Sequence, residues 1–464
     1  MIAAFRLSGI TRLKTLLVHD AFFTFAIRVG SAAFAYLIHV LLARLLSVEE
    51  YGVYAGLWVW IVVAAHMAVF GFSESALRFL PRYMARGHAG LALGFLGTGF
   101  RVVALGSVGF ACVGLGLIWL LQPVVPPAYL VGLVIVTIGL PFAAGELYME
   151  GVCRSFGWFG LAIVPGYLIR PVFIGLAVGV WAWSGHTPDA GFVLIVAIVA
   201  TGFLMCVQAW LVRRRLARQV GAVEATSRTG LWLRATLPLM FVNGAEEMFV
   251  ASDVLILGLL GTPDEVALYF AAVRSMALVN FIAYAFMIVS PRKFSIANAR
   301  KDPVALQAAV SETTWWTFWL TIPAVLLTLS AGYPLLMLFG PDFVAAYPVM
   351  AVIALGYVAR ASVGTGTDLL VVLGHQRASL AVSGVALVTN VILSLALYPV
   401  LGILGVAAAT SAALAVRAAA TVCAVRRCAD LDVFLVPLRR PARADAPKAE
   451  PYPSPYPMSM EAQQ

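Results

Sequence analysis

Four arginines fall inside long apolar runs: Arg28, Arg170, Arg274 and Arg360. Three carboxylates do the same: Glu246, Glu247 and Asp253. An ionisable side chain in hydrocarbon costs about 3 kcal/mol or more unless it faces a cavity or a partner. Guanidinium is always charged and presents a planar fork that matches paired phosphate or carboxylate oxygens. A carboxylate in the same setting binds a cation or neutralises an arginine. The chemistry on offer is recognition of a charged group, not bond-making. No GxxxxGK[ST] loop for nucleotide hydrolysis occurs. The acid-x-acid pair "DLD" at 430–432 has no α/β domain around it to hold a metal–nucleotide complex. The five cysteines are scattered and form no CxxC, so neither a disulfide, a metal nor a cofactor is expected.

The elements that must position these residues are membrane helices. The chain has 464 residues, of which 62% are hydrophobic and 11% charged, with a mean hydropathy of +0.94. A soluble domain carries about a quarter charged residues. Apolar runs of about 20 residues recur along the whole length. Twelve candidate spans emerge: 21–44, 54–73, 98–121, 128–149, 158–182, 189–212, 236–259, 266–289, 312–331, 347–370, 377–399 and 402–425. Segments of about ten alternating residues, the mark of a membrane barrel, are absent, so the fold class is all-α. The start "MIAAFRLSGITRLKTLLVHD" is basic and lacks a small-residue cleavage site, so no signal peptide is read there. With the amino terminus inside, 25 of the 31 Lys and Arg fall in cytoplasmic segments and none in the six opposite loops. That bias places both termini in the cytoplasm. It also accounts for the net charge of +9, which suits anionic lipid headgroups and not nucleic acid.

The chain repeats itself. "LLSVEEYGVYAG" (45–56) returns as "LLGTPDEVALYFAA" (259–272), with Glu50 matching Glu265 and Tyr54 matching Tyr269. Six spans per half give both halves one orientation, related by an axis along the membrane normal, with the substrate site between them. The expected domains are a six-helix lobe at 1–215, a basic cytoplasmic linker at 216–235 and a second six-helix lobe at 236–428. A Pro-rich tail at 429–464 reads as disordered. The repeated motif reads as a cap on the turn after the first span of each half, with direct substrate contact as the alternative.

"LLARLLSVEEYGVYAG", "ALRFLPRY", "DVLILGLLGTPDEVALYFAAVRSM", "LMLFGPDFVAAYPVM" and "VTNVILSLALYPVLGILGVAAATSAA" occur in this order. In them the chain resembles the polysaccharide-transporter family, the Wzx-like flippases of the multidrug/oligosaccharidyl-lipid/polysaccharide exporter superfamily. The resemblance spans about residues 15–425. It implies two six-helix bundles around a central cavity. It also implies passage of polyprenyl-pyrophosphate-linked oligosaccharide from the inner to the outer leaflet of a bacterial plasma membrane, for O-antigen, capsule or exopolysaccharide. A polysaccharide polymerase and a chain-length regulator are the partners to expect, and no catalytic residue carries over. A cation-coupled multidrug exporter and a non-transporting scaffold of a polysaccharide assembly complex are the alternatives.

Under this reading Arg28, Arg170, Arg274 and Arg360 are the candidates for the pyrophosphate, and Glu246, Glu247 and Asp253 are candidates for a coupling ion or a charge pair. Arg28 is the leading one: the repeat puts it and Glu246 on equivalent faces, so Arg28 contacts the head group or pairs with Glu246. Arg170 precedes Pro171 and alternatively covers carbonyls freed by that proline. Glu146 lies at the inner end of the fourth span. Arg44 and Arg417 read as snorkelling to the interface, His39 and His66 as packed, and Asn390 as interhelical glue. The topology predicts that cysteines introduced at Ser184 and Ala345 react with an impermeant thiol reagent in intact cells. Those at Ala222 and Ala299 stay unlabelled. Labelling of the second pair contradicts the arrangement.

Overall fold

The structure is a computed structural model that describes residues 30–31, 33–220, 223–299 and 302–435. Arg28, the basic start and the tail beyond residue 435 lie outside the described residues. The described part is helical throughout. The first half holds α1 (Ala33–Leu45), α2 (Val48–Ala68), α3 (Phe72–Ala85), α4 (Ala89–Leu121) and α5 (Pro127–Ser155). It continues with α6 (Phe159–Val164), a π turn (Pro165–Ile169), α7 (Arg170–Trp183) and α8 (Ala190–Val220). The second half runs α9 (Thr229–Leu260), α10 (Pro263–Met276), α11 (Asn280–Ala299), α12 (Pro303–Ser330), α13 (Gly332–Phe339) and α14 (Tyr347–Ala361). It ends with α15 (Gly366–Val372), α16 (Gln376–Leu401) and α17 (Ile403–Ala429).

Among the described residues eight helical segments are long and apolar enough to cross a membrane, or nine if α12 and α13, bent by 55°, count as one span. The twelve candidate spans are therefore not all reproduced by length and composition. The physical reasons are local. Helix α9 is 32 residues long but carries Glu246, Glu247 and Asp253. Helices α10 and α11 are separated by a short 3-10 turn at Ala277–Val279. Part of the first run lies outside the described residues. The second run begins six residues earlier than its apolar stretch suggests, at Val48 instead of 54.

That early start explains the repeated motif. Ser47 caps α2, its hydroxyl accepting the Glu50 N–H at 3.1 Å. Thr262 caps α10 in the same way, accepting the Glu265 N–H at 3.3 Å, while the Glu265 carboxylate accepts the Thr262 N–H at 3.0 Å. A carboxylate in a helix's first turn also meets the positive end of the helix dipole. Both acids reach further. Glu50 accepts the Ala190 N–H at 2.6 Å at the start of α8, and Glu265 accepts the Tyr398 hydroxyl of α16 at 2.7 Å. The motif is a joint between helices, and its carboxylates are spent on backbone and hydroxyl donors.

The two capped helices also meet each other. A Cβ at Gly52 of α2 would fall on the Pro263 carbonyl oxygen of α10. Around this crossing the first half closes on the second through rings. Tyr51 packs edge-on to Phe343 with centroids 5.8 Å apart, and Tyr36 to Phe339 at 5.3 Å. Tyr36 also donates to the Leu335 carbonyl at 3.0 Å. Arg44, expected to snorkel, instead caps the end of α13, donating to the carbonyls of Met337 and Leu338 at 2.5 and 2.6 Å. At the start of α9, Trp232 is fully buried against Phe95 and donates to the Tyr83 hydroxyl at 2.9 Å. The halves are thus clasped at both ends of α2–α3, with space left between. Gly52→Ala forces α2 and α10 apart, and overpacking of this kind costs about 1–3 kcal/mol or more. The expected result is a drop in membrane abundance and in melting temperature, measurable by fluorescence-detected size exclusion.

Candidate functional site

A proline decides the shape of the site. Pro165 has no N–H, so the regular ladder cannot close on the Leu161 carbonyl four residues earlier. The chain answers with one wide turn, and the Arg170 N–H bonds back to the Pro165 carbonyl, five residues away. Gln208 of α8 donates its side-chain amide to the Leu161 carbonyl at 2.8 Å. Such single π turns recur at functional sites. This one delivers Gly166, Tyr167 and Arg170 to a cavity of about 310 Å³.

The cavity is walled by α1, α2, α5 and the α6–α7 rod, and Arg274 reaches into it from α10 of the other half. Arg170 donates to Glu146 of α5 at 2.5 Å and lies over the Trp58 ring, 5.1 Å from its centroid. The pair is largely out of solvent, at 22% and 11% side-chain exposure. Gly166 makes it possible: a Cβ there would sit 2.7 Å from the Glu146 carboxylate. Arg274 is different. Its guanidinium lies 4.5 Å from the Phe270 ring centroid, and its buried Nε has no hydrogen-bond partner among the described residues. Among the described residues the site therefore brings together one arginine paired with a carboxylate and one whose buried Nε has no hydrogen-bond partner.

The structure sorts the remaining candidates. Arg360 belongs elsewhere: it borders a pocket of about 20 Å³ in the second half with Asn280 and Tyr357, donating to Asn280 at 3.3 Å. Glu246 pairs with Arg417 at 2.7 Å and accepts the Ser383 hydroxyl at 2.7 Å. Arg417 is only 15% exposed and lies 5.0 Å from the Phe249 centroid, so it does not snorkel; it neutralises Glu246. Glu247 stands 3.9 Å from His66 of α2, a contact between the halves. Asp253 is buried and accepts the Tyr269 hydroxyl and the Val254 N–H, each at 2.8 Å. Tyr269 in turn lies 3.3 Å from Thr410, and Thr410 lies 3.4 Å from Asn390. Asn390 donates to Ser252 at 2.7 Å, joining α16 to α9 as interhelical glue.

Sequence reasoning placed Arg170 within a span but offered it Pro171 as a structural reason. The carbonyl relieved by a side chain is instead that of Leu161, and its donor is Gln208. Glu146 stands at a span end in the sequence, and its distance along the chain from Arg170, 24 residues, carries no pairing signal. Trp58 likewise looks like any lipid-facing aromatic until the guanidinium is found over it.

The family profile described as polysaccharide biosynthesis protein matches residues 17–296, which is more than half of the chain. The chain belongs to that family. No curated protein matches it. Solved structures match along most of its length. An inward-facing multidrug resistance transporter of the MATE family, in the MOP superfamily, aligns with a TM-score of 0.69 and 14% identity, over 86% of this chain and 94% of its own. The MATE multidrug transporter DinF-BH, in complex with R6G, aligns with a TM-score of 0.67 and 15% identity, over 91% and 97%. The lipid II flippase MurJ in an inward closed conformation gives 0.65 and 14%, over 87% of each chain. At such identities the likeness establishes the fold, that of MOP-superfamily exporters. The family's description concerns polysaccharide biosynthesis, and the fold is that of integral membrane proteins.

Removing one partner of a buried ion pair strands the other, at a cost of about 3–5 kcal/mol. Glu146→Ala should therefore deplete the protein from the membrane. Glu146→Ala combined with Arg170→Ala should restore its abundance on an immunoblot, and equal depletion in both would contradict the pairing.

Proposed function

We propose that the protein is a flippase that carries polyprenyl-pyrophosphate-linked oligosaccharide from the inner to the outer leaflet of a bacterial plasma membrane. It would serve the assembly of a surface polysaccharide. The proposal keeps twelve spans, both termini in the cytoplasm, and two lobes at 1–215 and 236–428 joined by the basic segment between them. The observation that carries it is Arg274, a cation with no carboxylate partner among the described residues, set in a cavity that both halves border.

A lipid-linked head is an anion between a long tail and a bulky sugar. The tail stays in lipid while the head crosses, so the protein must offer the pyrophosphate a charge inside the membrane. Arg274 offers it without first giving up a partner. Arg170 joins once the phosphate oxygens compete with Glu146, and the exchange keeps the guanidinium paired throughout. Trp58, Tyr54 and Tyr167 supply ring faces beside the charges, a wall suited to the apolar faces of sugars. Arg360 would act at a different stage or on a different part of the head, since it sits in the other pocket. Glu246 is read as a charge pair with Arg417. Asp253, among Tyr269, Thr410 and Asn390, is the candidate for the coupling ion, and Glu247 with His66 for a contact that breaks when the halves part. The family match supports the sugar, and the likeness of fold to a lipid II flippase supports the lipid carrier.

Arg274→Ala strands no carboxylate, so protein abundance should hold. Transport of a fluorescent lipid-linked sugar in proteoliposomes, read as loss of leaflet protection, should fall about 10- to 100-fold, the worth of a charge-assisted hydrogen-bonded contact of about 1.5–3 kcal/mol. Arg274→Lys keeps the charge but not the fork and should recover only part of the rate. Full transport in Arg274→Ala contradicts the assignment. Efflux of a cationic dye without any flipping of the lipid-linked sugar would favour a multidrug exporter instead.

A further inference from the structure

Gln208 is a buried amide that the fold treats oddly. It is 1% exposed, on α8, with no charge or cavity of its own. Its Nε2 makes a 2.8 Å bond to the Leu161 carbonyl, and its Oε1 has no partner among the described residues. A buried amide that meets only part of its hydrogen-bonding capacity costs stability that methionine or leucine at the same place would not cost. The one bond it makes falls on the carbonyl that Pro165 leaves without its regular donor. Four residues later the wide turn ends, and Arg170 begins α7.

The geometry of a helix makes that location consequential. One residue inserted into an α-helix rotates everything after it by about 100°. Arg170, Pro171 and Ile174 line the cavity because the chain carries that extra residue at Pro165–Ile169. Regular winding through this stretch would swing Arg170 away from Glu146 and from the Trp58 ring. The wide turn is poorer in backbone bonds than the helix it interrupts, and Gln208 supplies a donor at the place where the proline withholds one.

We infer that Gln208 is a positioning residue for substrate recognition: by holding the Leu161 carbonyl it keeps the π turn wound and so aims Arg170 into the cavity. The inference rests on the reading of Arg170 as a head-group contact for its meaning in transport, but not for its geometry. Gln208 touches no substrate and acts only through Arg170. Pro165 creates the need, Gln208 meets it, and Arg170 displays the result.

Two measurements test this. The first needs no substrate. With the five native cysteines replaced and Glu146→Ala added so that no carboxylate is stranded, Arg170→Cys should react readily with a small cationic methanethiosulfonate, because residue 170 lines the cavity. Gln208→Met preserves the bulk and removes the donor. Added to Arg170→Cys, it should slow labelling about tenfold or more, an effect of about 1.4 kcal/mol on the facing conformer. An unchanged labelling rate overturns the inference, whatever the protein transports. The second measurement uses the lipid-linked sugar. Gln208→Met should raise the half-saturation concentration about tenfold with the maximal rate and the abundance preserved. Gln208→Met with Arg170→Ala should be no worse than Arg170→Ala alone, because both act through one guanidinium. Multiplied losses in the double variant would mean that Gln208 supports the lobe generally and would overturn the inference. Normal labelling behaviour with no flipping by the unmodified protein would instead sink the flippase reading and leave the positioning role standing.

Discussion

A guanidinium inside a membrane must be matched by a carboxylate, a ring or a ligand, and much of the structure follows from how each one is matched. Arg170 has Glu146 and Trp58, and Arg417 has Glu246 and Phe249. Arg44 has the carbonyl end of α13. Arg274 has the Phe270 ring and, among the described residues, no hydrogen-bond partner at its buried Nε. The three that are matched tie helices together: α7 to α5, α17 to α9, α1 to α13. Arg274, with no carboxylate partner among the described residues, stands in the cavity, and Arg360, donating to Asn280, in the second pocket. The same physical rule that makes buried charge expensive thus makes arginines the ties between helices.

The second constraint is that a backbone in lipid must satisfy itself, and this chain breaks its helices in several places. Each break has its own remedy. Ser47 and Thr262 cap α2 and α10 with hydroxyls, and the paired acids of the repeat extend the repair to α8 and α16. Arg44 of the first half covers the last carbonyls of α13 in the second. Gln208 covers the carbonyl left by Pro165. Most of these remedies come from another helix, so every break is also a joint. Between the halves these hydrogen bonds and ring edges are set into an apolar core that both halves share.

The two halves use equivalent positions differently. Tyr54 borders the cavity, while its repeat partner Tyr269 is buried in a hydrogen bond to Asp253. The first half supplies most of the cavity wall and the second a polar network of Asp253, Tyr269, Thr410, Asn390 and Ser252. Duplication supplied a scaffold with matching caps, and divergence of the inward faces gave one half space and the other cohesion.

The sequence by itself determined the membrane class, the helical fold, the repeat and the capping motif, because these depend on composition and on neighbours within a few residues. Hydropathy marks a span whatever it packs against, and Thr262 with Glu265 closes a capping box within one turn of helix. It also narrowed the charged candidates to a short set that contains both cavity arginines. Only the tertiary structure decided what each charge does. Arg170 meets a glutamate 24 residues away, Arg417 one 171 residues away, and Arg274 none among the described residues. Pairing in a helical membrane protein is a contact between helix faces. Those faces are set by rotation, and a single proline-driven turn at Pro165–Ile169 shifts the rotation by about 100°. No local pattern in the sequence records that shift, which is why the helical membrane class was legible and the pairing within the site was not.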